Sequence, residues 1–375
     1  MTDKPIFLAA GGTGGHLFPA EALAHALAAR GAPVELVTDD RALRYGASFP
    51  ARAMHTLPAA TPRGGNLIAR AIAVAQLAGG TAQAVSLLRK AQPRAVIGFG
   101  GYPTVPPLLA ANFLRIPTVL HESNGVMGKA NRFLAGRVDT IAAGLPNLRV
   151  PPPLQSKVVV TGNPVRPSVL AAARQPYPDF EGGVLRVLVT GGSQGARVMS
   201  DIVPDAIAAL PAELRARLRL VQQARAEDIE RVQAAYAQAG VEAEIAPFFA
   251  DLPARIAAAH VVIARAGAST VSELAVIGRP ALLVPLPHAL DQDQAANADF
   301  LSGAGAAETV RQIDFTPAFL AGRLAEWFAA PQELARRAEA AKGVGVADAA
   351  ERLADVVLAA AAGRDNAGVS ERRQG

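Results

Sequence analysis

The sequence predicts an α/β protein made of two Rossmann-like domains, each a doubly wound parallel sheet, facing one another across a cleft. Three observations predict it. Short Val/Ile/Leu-rich runs alternate with helical patterns along almost the whole chain of 375 residues, as βα units do. The runs are continuously apolar, the pattern of strands covered on both faces. An internal echo then divides the chain: Ile6–His16 (IFLAAGGTGGH) is matched by Val187–Arg197 (VLVTGGSQGAR), each a strand, a glycine turn and a helix start.

Taken in order, strands are expected at 5–10, 33–38, 94–98, 116–120, 138–142 and 157–160. A second series follows at 184–190, 216–222, 241–246, 260–264, 280–285 and 305–309. A further echo pairs AVIGFGGYPTV, from Ala95, with HVVIARAGASTV, from His260. The first domain is read as 1–162 plus a returning C-terminal helix at about 346–362, and the second as 165–345. Two prolines bracket the join, Gly162-Asn163-Pro164-Val165-Arg166-Pro167. Pro317 and Pro331 suit helix starts, and the polar stretch 363–375 reads as a disordered tail.

Composition narrows the function. Hydrophobic residues make up 51% and charged residues 18%, enough for large cores. The absence of cysteine excludes disulfides and thiolate metal sites. A net charge of +5 favours phosphorylated ligands or an anionic membrane face. Aromatics are only 5% and no dense basic run interleaves with them, so nucleic acid is not expected. The N-terminal apolar run is too short for a signal peptide. Ala95–Leu114 has no charge and the length of a membrane span, but its three glycines and three prolines would strand backbone groups in lipid.

The glycine turns are the chemical features. Gly11–Gly15 sits behind a strand and before a helix, where backbone N–H groups can meet an anion. It fails the dinucleotide fingerprint at Leu17, although Asp39 and Asp40 stand where a ribose-binding acid would, so a nicotinamide oxidoreductase stays as a minor alternative. No Gly-Lys-Ser/Thr follows either turn, which excludes a P-loop. His16, at the loop–helix boundary, is either bonded to its own loop or a general base for a hydroxyl nucleophile. His121-Glu122-Ser123-Asn124-Gly125 places polar side chains at a strand's carboxyl end, where burial without partners is costly.

In the second half, Arg265–Glu273 (RAGASTVSE) ends a strand in a glycine turn. Ser269 or Thr270 is expected to cap the next helix, with Glu273 either closing a capping box or chelating ribose hydroxyls. The loop His288–Gln294 carries Asp291 and Asp293, which could hold Mg²⁺ with a diphosphate or bond sugar hydroxyls; the metal is the second choice. The apolar stripe at 63–77, with Arg63 and Arg70, suits a core-facing helix or, with Phe113, a membrane-contacting surface.

As an ordered set, GGTGGH (11–16), GFGGY (98–102), HESNG (121–125), TGNPVR (161–166), GGSQGAR (191–197), RAGASTVSE (265–273) and Asp293-Gln294 resemble the MurG family of N-acetylglucosamine (GlcNAc) transferases, from the first strand to about residue 360. The resemblance implies a GT-B glycosyltransferase that inverts the anomeric centre with no obligatory metal and no cofactor, Mg²⁺ being dispensable. It implies UDP-GlcNAc as donor and lipid I, undecaprenyl-pyrophosphoryl-MurNAc-pentapeptide, as acceptor. The setting it implies is peripheral, on the cytoplasmic side of the bacterial inner membrane, where a cell-wall synthesis complex is a possible partner.

It further implies roles residue by residue. Glu273 would hold the ribose; Ser193, Ala268, Ser269 and Thr270 the diphosphate; and the Phe249 backbone the uracil. Thr13, Gly14, Gly15, Asn124, Arg166 and Gln294 would contact the donor around its sugar and phosphates. Gly100, Gly101, Tyr102 and Glu122 would lie on the acceptor side, and His16 would deprotonate the acceptor C4 hydroxyl. Because 191–197 and 265–273 already supply donor groups, the first glycine turn is expected to face the acceptor pyrophosphate. Another acceptor for the same fold is the nearer alternative.

Overall fold

The computed structural model describes residues 3–11, 14–39, 49–58, 67–192, 195–287 and 293–372. Thr13, Asp40, Arg63, Ser193, His288 and Asp291 therefore lie outside the described residues. The chain divides into two compact units, Met1–Arg166 with Asp348–Gly375, and Pro167–Ala347.

The first unit runs β1 (Ile6–Ala9), α1 (Gly14–Ala29), β2 (Val34–Thr38), β3 (Ala53–Thr56), α2 (Leu67–Ala91) and β4 (Ala95–Gly98). It continues with α3 (Val105–Phe113), β5 (Thr118–Glu122), α4 (Lys129–Ala135), β6 (Thr140–Ala143) and β7 (Val158–Val160). All seven strands are parallel, in the order β3-β2-β1-β4-β5-β6-β7. Strand β3 has no counterpart among the sequence expectations. It is a four-residue edge strand whose side chains alternate between half-buried and exposed, so it lacks the apolar run by which the others are legible. The order reverses between β1 and β4, which pair in register from Ile6–Ala95 to Ala9–Gly98. Their two carboxyl-end turns thus lie side by side, where sheets of this kind hold ligands.

The second unit runs α5 (Pro167–Ala172), β8 (Leu185–Thr190), α6 (Arg197–Ala208), α7 (Ala212–Ala216), β9 (Leu218–Gln223), α8 (Ile229–Ala239) and β10 (Ala243–Ala246). There follow α9 (Leu252–Ala258), β11 (Val261–Ala264), α10 (Ala268–Ile277), β12 (Ala281–Leu283), α11 (Asp293–Gly303), β13 (Ala307–Thr309), α12 (Pro317–Ala329) and α13 (Pro331–Val344). Its six-stranded parallel sheet has the order β10-β9-β8-β11-β12-β13. The reversal falls between β8 and β11, in register from Val187–Val261 to Thr190–Ala264. The internal echo is thus a repeated topology: both paired glycine turns sit at a switch point.

The last helix, α14 (Ala349–Arg372), packs on the first unit. Leu353 and Val357 are fully buried in one core with Leu23, Leu27 and Leu36. Each such side chain contributes about 1.5–3 kcal/mol on burial. The exposed Arg30–Asp355 ion pair beside them contributes at most about 1 kcal/mol, so apolar packing holds the helix. The helix continues to Arg372, beyond the expected end near 362 and into the stretch read as a disordered tail. No proline interrupts it, and its two interior glycines, Gly363 and Gly368, cost only about 1 kcal/mol each.

On α2, Ala73 is buried while Ile72 and Val74 are 53% and 64% exposed. The core-facing reading of this stripe therefore fails at those two positions. Phe113, at the end of α3, is 71% exposed. Among the described residues no helix is long and apolar enough to cross a membrane.

Candidate active site

In the first unit the site is built on the β1, β4 and β5 carboxyl ends. Helix α1 begins at Gly14, so His16 lies in its first turn rather than at a loop boundary. A ring N–H of His16 donates to the Gly11 carbonyl. That bond fixes the ring; in the neutral imidazole one ring nitrogen carries the proton and the other is an acceptor. Loss of solvent around the ring is the largest influence on its pKa and lowers it, outweighing the Gly11 bond and the Asp39 charge, which raise it. The two readings of His16 are therefore compatible: the loop bond to Gly11 orients the ring.

The β4 turn receives this ring. Gly100 and Gly101 have φ of 98° and 76°, a region that side-chain-bearing residues rarely enter. A Cβ at Gly101 would stand 3.5 Å from His16 Cε1 and Nδ1. Tyr102 opens the one-turn helix Tyr102–Thr104, whose Thr104 hydroxyl donates back to the Gly101 carbonyl at 2.8 Å.

Glu122, at the end of β5, is 2% exposed. Its Oε1 accepts from the Asn124 backbone and side-chain nitrogens, both at 3.0 Å, and its Oε2 from Gly128 N at 3.0 Å and Asn131 Nδ2 at 2.8 Å. Burial raises its pKa, against these four bonds, which lower it. With both oxygens occupied from within, Glu122 organises the loop that presents Asn124. His121 is fully buried against the Phe99 ring at 5.3 Å, with Ser123 Oγ 3.4 Å from its Nδ1. Burial first, and then the nearby His16, push its pKa down to about 4, partly offset by the Gly162 backbone. Asn163 ties this loop to the end of the unit, donating to the Ser123 carbonyl at 2.9 Å. Gly144 makes that possible, since a Cβ there would fall 1.9 Å from Asn163 Oδ1. Arg166 lies over the Phe18 ring, 4.0 Å from its centroid.

In the second unit the β8 turn has Gly192 and Gly195 at φ 80° and 67°. Gln223, at the carboxyl end of β9, organises it. Its Oε1 accepts from Thr190 Oγ1 at 2.9 Å and Gly191 N at 3.1 Å, and its Nε2 donates to the carbonyls of Gly192 at 3.0 Å and Pro247 at 3.1 Å. Sequence reasoning missed Gln223; its signal was two adjacent glutamines at the carboxyl end of a strand whose buried positions are otherwise leucine. Two residues beyond Pro247, Phe249 is buried, with Arg255 4.3 Å above its ring.

The β11 turn corrects the capping expectation. Gly267 is the N-cap of α10 and makes no side-chain cap bond, so Ser269 and Thr270 stand inside the first turn and form no capping box with Glu273. Helix propensity favours the longer helix once Gly267 takes the extended cap conformation (φ −64°, ψ 145°). The first-turn N–H groups of Ala268, Ser269 and Thr270 then form the kind of helix terminus that attracts phosphate. Glu273 is buried one turn further along. Arg265 is 9% exposed and bonds the carbonyls of Val284 at 2.9 Å and Pro285 at 3.2 Å, and Gln312 Oε1 at 2.6 Å. Gln294 Oε1 accepts from Leu286 N at 3.1 Å, and Asp293 Oδ1 from Gln294 N at 2.9 Å. Among the described residues no three His, Asp or Glu side chains gather as metal ligands.

Each unit thus places a glycine turn at its switch point, and the first adds an oriented imidazole: the layout of a nucleotide-sugar glycosyltransferase of the GT-B fold. Comparison with known families agrees. Residues 6–143 match the glycosyltransferase family 28 N-terminal domain and residues 186–353 its C-terminal domain. The chain is 58% identical to the UDP-N-acetylglucosamine--N-acetylmuramyl-(pentapeptide) pyrophosphoryl-undecaprenol N-acetylglucosamine transferase of Methylobacterium nodulans, over 94% of this chain and 96% of that one. The crystal structure of Acinetobacter baumannii MurG superposes with a TM-score of 0.78 at 29% identity, covering 95% of this chain and 99% of that one. A UDP-GlcNAc 2-epimerase from Neisseria meningitidis superposes at 0.67, but at 14% identity, covering 94% and 99%; that likeness is of fold alone. The chain belongs to glycosyltransferase family 28 and, within it, to the family of these pentapeptide pyrophosphoryl-undecaprenol GlcNAc transferases.

Proposed function

We propose that this protein transfers GlcNAc from UDP-GlcNAc to the C4 hydroxyl of MurNAc in undecaprenyl-pyrophosphoryl-MurNAc-pentapeptide, with inversion, converting lipid I to lipid II in cell-wall synthesis. The observation that carries the reading is the extent of the likeness: 58% identity over 94% of the chain to a relative named for this transfer spans both units. Donor motifs alone would leave the acceptor open.

The chemistry follows from the residues. His16, held neutral by desolvation, removes the C4 hydroxyl proton as the oxygen attacks the anomeric carbon. The C–O bond to the UDP β-phosphate breaks on the opposite face, and the departing charge is met by the α10 N-terminal N–H groups of Ala268, Ser269 and Thr270 and by Arg166. Glu273 takes the ribose hydroxyls, the Phe249 backbone the uracil edge, and Asn124 and Gln294 the sugar, with Ser193 and Thr13 joining from their glycine turns. Gly14 and Gly15 let the donor sugar approach α1, while Gly100, Gly101 and Tyr102 face the acceptor. Glu122 acts by shaping that loop. Exposed Ile72, Val74 and Phe113 suit shallow contact with the cytoplasmic face of an anionic membrane, which the net positive charge of the chain would favour.

Transfer of labelled GlcNAc from UDP-GlcNAc to a soluble lipid I analogue tests the reading. The expected product is a β-linked disaccharide. Release of UDP with no transfer to that acceptor would overturn it.

A further inference from the structure

Phe18 belongs to none of the motifs that mark the site, yet its ring is held on two sides by residues that do. On one side lies Gly14, where an added Cβ would fall 2.9 Å from Phe18 Cε2 and 3.1 Å from its Cζ. On the other lies the guanidinium of Arg166, 4.0 Å from the ring centroid. The ring sits one turn into α1, two residues beyond His16, and Arg166 is the last residue of the unit before Pro167. Phe18 is half-buried and, among the described residues, stands outside the buried side chains of the two cores that flank the seven-stranded sheet.

A guanidinium over an aromatic face is attracted by the ring quadrupole, and the contact consumes none of its N–H donors. Arginine loses considerable rotamer freedom when it is ordered on an anion, and a side chain already held loses less. We propose that Phe18 is a positioning residue for the transfer: with its edge against Gly14 and its face under Arg166, its ring holds the guanidinium where its N–H edge meets a diphosphate oxygen. Gly14 is required because any side chain there would displace the ring. The proposal rests on the reading above, in which Arg166 meets the charge that develops on the leaving diphosphate.

The test uses the full chain with Phe18→Leu, Phe18→Tyr, Arg166→Ala and the Phe18→Leu/Arg166→Ala double variant, measuring kcat, KM for UDP-GlcNAc and Tm. The expected result is a kcat about tenfold lower for Phe18→Leu, the scale of one cation–π contact, with KM and Tm near wild type. Phe18→Tyr, which keeps the ring, should stay within about twofold of wild type, and the double variant should match Arg166→Ala alone. A wild-type kcat in Phe18→Leu, additive losses in the double variant, or a lowered Tm with no rescue by tyrosine would each overturn the positioning role while leaving the transfer itself standing. Absence of GlcNAc transfer by the wild-type chain would overturn the functional reading, and the positioning role with it.

Discussion

The imidazole of His16 lies directly against Gly100: a Cβ added there would stand 3.1 Å from both Cδ2 and Nε2 of the ring. Gly100 also has a φ of 98°, so an alanine would meet both a steric and a backbone obstacle. Gly100→Ala should lower kcat for GlcNAc transfer at least tenfold by shifting the ring off its Gly11 bond. The check is the transfer rate alongside Tm. Unchanged turnover would mean that the ring position is irrelevant to the reaction.

His16→Ala removes the proposed base without touching the second unit, where the groups proposed to bind the nucleotide lie. Turnover should fall by about 100-fold or more, the scale of a lost general base, while UDP-GlcNAc affinity by calorimetry stays within about threefold. Normal turnover in this variant would assign the proton to another group.

The pH profile follows from the same ring. A general base works when neutral, so the rate should fall as pH drops through its pKa. Desolvation lowers the pKa of His16 from the ordinary 6.5. The acid limb of kcat/KM should therefore be centred below 6.5, with the plateau reaching into mildly acidic buffer. A limb centred at or above 6.5 would contradict the lowering of this pKa by desolvation.

Twelve of the thirteen strands among the described residues and both echoing glycine turns were legible because buried parallel strands leave unbroken apolar runs and glycine turns leave their own signature. Strand β3 was not, because its half-exposed AMHT has neither. The candidate site was legible where a polar residue falls in a glycine motif, as His16 does, and illegible where a residue acts through a fold contact. Gln223 lies 32 residues from Gly191, and Asn163 lies 40 from Ser123. Such pairs share no local pattern. The capping expectation at Ser269 failed for a related reason: a glycine with extended backbone served as cap two residues earlier.

His121 links the site to stability. Its folded pKa is about 4 against 6.5 for the unfolded chain, so the unfolded state binds the proton first. The native state is therefore unaffected above about pH 6.5 and loses stability as pH falls from there towards 4, by at most about 3 kcal/mol. His121→Leu, which cannot titrate, should show a shallower decline in urea unfolding between pH 7 and 4.5. Parallel declines for the two proteins would show that His121 is not a source of the acid sensitivity.

Gln223 offers a test of the second unit that leaves His16 in place. Its amide satisfies four groups at once: the Thr190 hydroxyl, the Gly191 N–H and the carbonyls of Gly192 and Pro247. These hold the β8 turn and the segment leading to Phe249 in one geometry, the two places proposed to grip diphosphate and uracil. In Gln223→Leu all four lose a partner, and each such loss in a buried site costs about 1–3 kcal/mol. The turn should relax rather than bear that whole cost, so the expected outcome is at least a fivefold weaker Kd for UDP-GlcNAc with kcat at saturating donor changed by less. Gln223→Glu can still accept from Thr190 and Gly191 but cannot donate to the two carbonyls, and it should fall between. The ordering wild type, glutamate, leucine in calorimetric Kd is the signature of a turn organised by this amide, and equal affinity in all three would leave Gln223 without that role.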